Sequence, residues 1–493
     1  MRQSIRFLRR GETVEVTDVA PMTTLLEYLR LKELARGTKE GCGEGDCGAC
    51  TVALGSVRDG RLVYEPVNSC IVLLGQVDGK EVVTVEDLAQ PNGGLHPVQR
   101  AMVETHASQC GFCTPGFVMS LFTLYHAGGR PDRRAVNDWL AGNLCRCTGY
   151  RPIVDAALAA CAGNPADSFT AATGQSLTAL RRMDDGEDIF IGDKTSFFAA
   201  PASIESLARL YARHTDAVLI AGATDVGLWI TKQLRHLPKI IHLGRVRKLD
   251  TIADGAEELS IGATATYAMA ERALAAIDPD LGEMLRRLGS KQVRALGTIG
   301  GNIANGSPIG DTPPALIALG STLELRQGAN TRSLPLEKFF LAYGKQDRRP
   351  GEFVIQVRVP KLRPGQVFRC YKISKRFDQD ISGVLGAFRF TLGEGRVHEA
   401  RIAYGGMAAT PKRATACEAA LAGAQVTDET TWAPGIEALK RDFTPIDDMR
   451  ASASYRMATA QALLRKALYE TAGTPSLNTR VIGFREASVE RVA

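Results

Sequence analysis

The pattern of apolar and polar positions changes character several times along the chain. Up to about residue 88 it has the period of two that marks strands. Ile5-Arg-Phe-Leu and Thr13-Val-Glu-Val flank the turn Arg10-Gly-Glu12, a hairpin signal, and Thr51-Val-Ala-Leu, Arg61-Leu-Val-Tyr and Val82-Val-Thr-Val follow. Thr24-Leu-Leu-Glu-Tyr-Leu-Arg-Leu is instead apolar at helical spacing. A small sheet crossed by one helix, a β-grasp, is expected over 1–88. From 89 to 163 the period is helical. Pro97-Val-Gln-Arg-Ala-Met-Val-Glu is one helix, and Thr114 and Pro115 supply an N-cap and N1 pair for Gly116–Tyr125. Asp132 caps a third through Trp139-Leu140, and Pro152 opens a fourth, which predicts a four-helix bundle.

Residues 164–190 are polar and mixed, the composition of a linker. Residues 191–365 alternate short strands and helices around Gly-rich loops at 222–227 and 297–306. The last region, 366–485, carries Phe368-Arg-Cys-Tyr-Lys-Ile, Ala387-Phe-Arg-Phe-Thr-Leu and Ala400-Arg-Ile-Ala-Tyr-Gly-Gly, then Ala-rich helical stretches. The predicted fold class is multidomain α+β.

Length and charge narrow the function classes. At 493 residues the chain is too long for one core. A net charge of +6 is spread without any block of like charges, so nucleic-acid and membrane binding have no electrostatic support. Met1-Arg-Gln-Ser-Ile-Arg-Phe-Leu has no apolar signal core, and no stretch approaches the ~20 apolar residues of a membrane span. A cytoplasmic protein is expected, whose cysteines at tight spacing are metal ligands rather than disulfides.

Eight of the 11 cysteines form two quartets. Cys42-x4-Cys47-x2-Cys50 with distant Cys70 has the spacing of a plant-type [2Fe–2S] site. Glycines at 41, 43, 45 and 48 let that loop fold tightly and turn its amides toward negatively charged sulfur. A structural zinc site is the alternative, but zinc knuckles usually pair two C-x2-C units, which this uneven spacing fits poorly. Gly43-Glu-Gly-Asp-Cys-Gly48 also satisfies G-x-G-x-x-G, yet a dinucleotide fingerprint needs a helix at its third glycine and none is predicted. The second quartet is Cys110-x2-Cys113 and Cys145-x-Cys147. By spacing alone a thioredoxin-like pair or a zinc site stays open, while its helix-end setting beside the first quartet favours a second cluster. Cys161, Cys370 and Cys417 stand apart and read as buried small hydrophobes.

Longer motifs carry a resemblance. Gln109-Cys-Gly-Phe-Cys-Thr-Pro-Gly-Phe and Asn143-Leu-Cys-Arg-Cys-Thr-Gly-Tyr-Arg-Pro resemble the second-cluster signatures of the xanthine oxidase (molybdenum hydroxylase) family, and the loop at 41–50 matches that family's ferredoxin loop. Leu219-Ile-Ala-Gly-Ala-Thr-Asp-Val226 resembles its first FAD loop, and Thr298-Ile-Gly-Gly-Asn-Ile-Ala-Asn-Gly-Ser-Pro-Ile-Gly-Asp311 its second. The resemblance implies FAD contacts from Leu219, Ile220, Ala221, Gly222, Ala223, Thr224, Asp225 and Val226. It implies others from Thr298, Gly300, Gly301, Asn302, Asn305, Ser307 and Asp311. Residues Gly222 to Asp225 would then expose successive N–H groups to the pyrophosphate, and Gly300 and Gly301 would allow close backbone approach. Asp311, ahead of Thr312-Pro313-Pro314, also reads as a helix N-cap. Lys372 matches a lysine near the flavin, although a strand lysine more often faces solvent. Leu288 stands where the family often has an aromatic residue.

The family's domain order implies the divisions 1–88 (ferredoxin), 89–163 (helical [2Fe–2S] domain), 164–190 (linker), 191–365 (FAD-binding) and 366–485 (C-terminal flavoprotein domain). Molybdopterin domains would need several hundred further residues. The resemblance therefore implies the iron–sulfur/FAD subunit of a two-chain xanthine dehydrogenase, with two [2Fe–2S] clusters, FAD, NAD+ as co-substrate and a large molybdopterin-binding partner. A heterotetramer or dimer of heterodimers is expected. Electrons would run from the partner's molybdenum through both clusters to FAD, with no side chain here needed as a catalytic acid or base. The alternatives are the same subunit of an aldehyde or N-heterocycle hydroxylase, or a free-standing redox sensor.

Overall fold

Arg10 and Gly11 both take positive φ (54° and 79°), which matches a two-residue turn to the right-handed twist of its flanking strands. Strands β1 (Ile5–Arg9) and β2 (Glu12–Val16) therefore close as the expected hairpin. With β3 (Thr51–Arg58), β4 (Arg61–Asn68) and β5 (Glu81–Val83) they form a sheet of order β2-β1-β5-β3-β4, in which β1 and β5 run parallel. Across it lies the helical turn Leu25–Lys32, opened by a capping box of Thr24 and Glu27. Its Leu25 and Leu29 are buried against Ile5, Phe7 and Val52. This is the β-grasp.

The computed structural model describes residues 1–90 and 93–480 and divides into two units. Besides the β-grasp, the first unit (Met1–Lys248 with Gly289–Gly297) holds the helices Pro97–Glu104, Thr114–Ala127, Arg133–Leu140 and Arg151–Ala160. Phe117, Leu121, Phe122, Val136 and Ile153 form their core, which continues into the sheet through Ala53, Tyr64 and Val83. A third part is a small sheet of order β6-β7-β9-β8: β6 (Ile189–Gly192), β7 (Phe197–Ala200), β8 (Val218–Ile220) and β9 (Lys239–His242). Its strands β7, β8 and β9 are parallel.

The structure departs from the sequence pattern at two helices. The stretch 164–190, expected as linker, contains the helix Ser168–Met183. Its N-cap Asp167 accepts from Thr170 N–H at 2.7 Å, and Leu180 and Met183 pack on Leu8 of β1. Burying each of those side chains is worth ~1.5–3 kcal/mol, enough to hold a helix whose other faces are polar. The helix Thr114–Ala127 starts one residue earlier than expected, with Cys113 at the N-cap. The Thr114 hydroxyl is instead bonded to Ser108 Oγ at 2.7 Å.

The second unit (Leu249–Leu288 with Thr298 onward) has two larger antiparallel sheets and a two-stranded one, Phe340–Ala342 with Lys345–Gln346. The first runs Ile252–Asp254, Glu258–Gly262, Glu352–Pro360, Thr322–Gln327, Asn330–Pro335. The second runs Gln366–Ile373, Val384–Gly393, Arg396–Gly405, Lys412–Arg413, and is covered by helices including Ala453–Thr471. Between Asp311 and Gly320 lies the helix Thr312–Leu319, buried along its length. Cys161, Cys370 and Cys417 are buried, as their isolation in sequence suggested. No helix among the described residues is long and apolar enough to cross a membrane.

Candidate functional site

The loop 41–50 turns on three left-handed glycines, Gly43 (φ 66°), Gly45 (77°) and Gly48 (70°). At Gly41 the constraint is space, since a Cβ would lie 2.8 Å from Cys47 Sγ. Strand β3 follows rather than a helix, so the G-x-G-x-x-G here is no dinucleotide fingerprint. Cys42 and Cys47 are half-buried, Cys50 and Cys70 buried, and the last two have their sulfurs 3.2 Å apart. Glu44 and Cys47 N–H groups donate to Cys42 Sγ at 3.4 Å each. The Cys47 thiol and these amides draw Cys42 down to about 5 against its burial, and Cys47 is pushed up by the same pairing and by burial.

The second quartet assembles from two helix ends. Cys113 opens Thr114–Ala127, and Cys145 and Cys147 precede Arg151–Ala160. The thiols pair across the gap, Cys113 with Cys145 and Cys110 with Cys147. Burial works to raise Cys145, but the hydroxyl and N–H of Thr148 and the N–H of Cys147 outweigh it and bring the thiol to about 7. Cys113 is pushed up to about 12 by burial and by Cys145. Cys110 and Cys147 are exposed, and Phe112, Leu144 and Tyr150 beside them are exposed as well. All 11 cysteines are free thiols. Each quartet is a set of four sulfurs with N–H donors aimed at one of them, which suits a net-negative cluster.

The quartets are joined through the backbone. Leu144 N–H, adjacent to Cys145, donates to the carbonyl of Cys47 at 3.0 Å. Gly48 and Gly116 permit this approach. A Cβ on Gly48 would lie 2.3 Å from Gly142 O, and one on Gly116 would lie 2.2 Å from Gly48 O. Beside this crossing the buried Gln292 amide donates to Asn143 Oδ1 (2.9 Å), Thr51 Oγ1 (3.2 Å) and Ser120 Oγ (3.3 Å). This polar knot was not legible in sequence, because its members lie on four separate segments.

The loop 219–226 leaves the carboxyl end of parallel strand β8, the end at which open parallel sheets place ligands. Leu219 and Ile220 close the strand, and Ala223 (φ 58°) turns the chain. Thr224 and Asp225 lead into the short helix that begins at Val226. Burial pushes the Asp225 carboxyl up. Gly222 is needed for its neighbour, since a Cβ would lie 1.8 Å from Leu296 O. The carbonyl of Ala221 accepts from Gln76 of the β-grasp at 3.0 Å. A Cβ on Gly227 would fall 2.8 Å from the carbonyl of Ile71, the residue after Cys70. The segment carrying Cys70 is thus packed on this loop.

In the second unit, Thr298 caps the helix Ile299–Asn305 by accepting from Gly301 N–H at 3.0 Å. Gly300 packs on the strand end, where a Cβ would meet Ala263 O at 2.5 Å. Asn302 Oδ1 accepts from Thr312 (2.7 Å), Asn305 O from Gln346 (3.3 Å), and Ser307 Oγ from Ile309 N–H (3.4 Å). Leu288 packs half-buried against the core. Asp311 holds the N-cap position but makes no side-chain cap. Its carboxylate accepts instead from Lys372 Nζ and Ser382 Oγ, each at 2.5 Å, and Lys372 donates again to Ser382 at 2.9 Å. Lys372 is buried rather than solvent-facing. Ser382 joins this constellation although nothing in its sequence context singled it out.

One further titratable cluster lies in the first unit. Asp167 Oδ2 is contacted by His96 Nε2 (2.7 Å) and His126 Nε2 (2.8 Å), a grouping compact enough for a metal ion. His96 Nδ1, however, accepts from Val98 N–H at 3.1 Å, which leaves the proton on Nε2. The imidazole then donates to the carboxylate, and the cluster is a hydrogen-bonded clamp on the start of the helix Ser168–Met183.

Four domain families match this chain in series: "2Fe-2S iron-sulfur cluster binding domain" over 7–74, "[2Fe-2S] binding domain" over 84–158, "FAD binding domain in molybdopterin dehydrogenase" over 193–362, and "CO dehydrogenase flavoprotein C-terminal domain" over 369–471. Xanthine dehydrogenase of Emericella nidulans is 32% identical over 89% of this chain and 36% of its own length. Xanthine dehydrogenase/oxidase of Rattus norvegicus is 32% identical over 82% and 34%. The chain thus spans about a third of the curated relatives it matches. Among solved structures, CO dehydrogenase from Oligotropha carboxidovorans aligns with TM-score 0.53 at 25% identity, covering 58% of this chain and 99% of that one. Quinoline 2-oxidoreductase from Pseudomonas putida 86 aligns with TM-score 0.52 at 26% identity, covering 57% and 98%. Two iron–sulfur domains followed by a flavin domain and its C-terminal companion, in this order, place the chain in the xanthine oxidase family of molybdenum hydroxylases, as an iron–sulfur and FAD electron-transfer protein.

Proposed function

We propose that this chain is the electron-transfer subunit of a xanthine dehydrogenase, working with a molybdopterin-binding partner and reducing NAD+. The observation that carries a relay through both quartets is the single backbone hydrogen bond from Leu144, next to Cys145, to the carbonyl of Cys47. In this reading Cys42, Cys47, Cys50 and Cys70 hold one [2Fe–2S] cluster and Cys110, Cys113, Cys145 and Cys147 the other. When bound, the clusters carry electrons singly and FAD delivers them in pairs.

The residues divide the work. Cys110 and Cys147 of the second quartet are exposed beside the apolar Phe112, Leu144 and Tyr150, so a cluster held there would be open to a partner and able to accept its electrons. The Cys70 segment of the first quartet packs on the loop 221–227, so a cluster held there would supply electrons on the side of that loop. The amides around Cys42 and Cys145 favour the negatively charged sulfurs. Each unit, taken by itself, carries residues suited to FAD: Gly222 to Val226 in the first, and in the second Thr298 to Ser307 together with Lys372, whose positive charge is fixed by Asp311 and Ser382.

The identity with xanthine dehydrogenases over most of the chain supports that substrate. The likeness to CO dehydrogenase and quinoline 2-oxidoreductase supports a second reading, the same relay serving another hydroxylase. Purification of the native complex decides between them. A co-purifying molybdenum-containing chain with xanthine-dependent NAD+ reduction is the expected result. A molybdenum chain inactive on xanthine but active on an aldehyde or N-heterocycle would support the second. Absence of any molybdenum chain would refute both.

A further inference from the structure

Among the described residues, Arg456 is the one arginine in the set of largest fully buried side chains, at 1% exposure in the helix Ala453–Thr471. A buried guanidinium is costly unless its donors are all used. Its Nη2 meets Asp448 Oδ1 at 2.6 Å. Its Nη1 donates to two main-chain carbonyls, that of Gly383 and that of Gly406 (2.8 Å). Both carbonyls belong to segments that fix the Asp311 constellation. Gly383 follows Ser382, whose hydroxyl bonds Asp311 and accepts from Lys372. Gly406 N–H donates to Pro308 O at 2.8 Å, three residues before Asp311. Gly406 must be glycine for this crossing, since its φ is 78° and a Cβ would lie 2.2 Å from Gly383 O.

We infer that Arg456 is a positioning residue for the flavin. By tying the carbonyls of Gly383 and Gly406 together it sets the distance between Ser382 and the 307–311 loop, and so the placement of the Lys372 charge. Any buried arginine needs acceptors; here both of those used by Nη1 lie on the segments that carry Ser382 and the 307–311 loop. The inference rests on the reading that Asp311 and Lys372 face FAD.

The test uses the full chain with Arg456→Lys, which keeps a cation but, one bond shorter and with one terminal nitrogen in place of two, cannot hold Asp448 and both carbonyls at once. Retained FAD, the flavin midpoint potential and the two reduced-cluster signals are measured. Arg456→Lys should weaken FAD retention about tenfold, the worth of roughly one net hydrogen bond. It should also shift the flavin potential, with both cluster signals unchanged. Asp448→Asn retains an acceptor for Nη2 and should keep wild-type flavin properties. A wild-type flavin potential and retention in Arg456→Lys overturns the inference. So does an equal flavin loss in Asp448→Asn that tracks thermal stability, because that marks general destabilisation. If Arg456→Lys does not fold, Ser382→Ala should show the same potential shift, and an unshifted flavin there also overturns it. Wild-type chain that binds no FAD would instead remove the underlying reading before any variant is compared.

Discussion

Replacing Gly48 by alanine tests how tightly the two cysteine quartets are coupled. Two costs fall on this position. Its φ of 70° strains any residue with a Cβ, at about 1–2 kcal/mol. The added Cβ would also lie 2.3 Å from Gly142 O and 2.6 Å from Asn143 Nδ2, an overpacking worth a further ~1–3 kcal/mol. Gly11 separates the terms, because its φ is 79° but a Cβ there meets nothing within 4 Å. Gly11→Ala should therefore cost ~1–2 kcal/mol and Gly48→Ala ~2–5 kcal/mol. Urea unfolding followed by cluster absorption reads both. Reduced-cluster EPR should show the magnetic environment altered only in Gly48→Ala, since the backbone bond from Leu144 to Cys47 lies beside it. Equal costs in the two variants, with unaltered EPR, would refute the interlocked crossing.

Other outcomes follow from the same geometry. Cys113→Ser should abolish one of two reduced-cluster EPR signals while FAD stays bound; loss of neither signal would mean the second quartet is misassigned. Lys372→Met leaves the buried Asp311 carboxylate without its cation, which should cost ~3–5 kcal/mol in thermal stability and release flavin; wild-type behaviour in both would argue against the pair. Asp167 is held far below the usual carboxylate range, since the hydrogen bonds from His126 and His96 outweigh its burial. A depressed carboxyl contributes stability that is present above the unfolded value of about 4 and is lost as pH falls toward the folded one. Asp167→Asn should therefore flatten the acid limb of a stability profile and leave neutral-pH cluster signals intact. An unchanged acid limb would contradict the clamp.

What sequence could reveal here was local. The cysteine spacings, the Gly-rich loops and the period change near residue 89 are short-range patterns, and each has its counterpart in the folded chain. The helix Ser168–Met183 escaped because only Ser176, Leu180 and Met183 are buried along it, too thin a stripe to register as periodicity. Its cap depends on His96 and His126, far away in sequence. Asp311 misled for a related reason. Its position before Thr-Pro-Pro does mark a helix start, but a buried lysine and serine from the strand Gln366–Ile373 and the segment after it compete for the carboxylate and win. Ser382, Gln292 and Arg456 acquire meaning only through partners that tertiary structure brings to them.

The central claim is that two [2Fe–2S] clusters and FAD share this one chain. Iron, zinc and flavin analysis of the purified full-length protein, with visible spectra during reductive titration, tests it most directly. About four irons per FAD are expected, two for each cysteine quartet, with bleaching of both chromophores. Zinc in place of iron, or two irons per FAD, would contradict it.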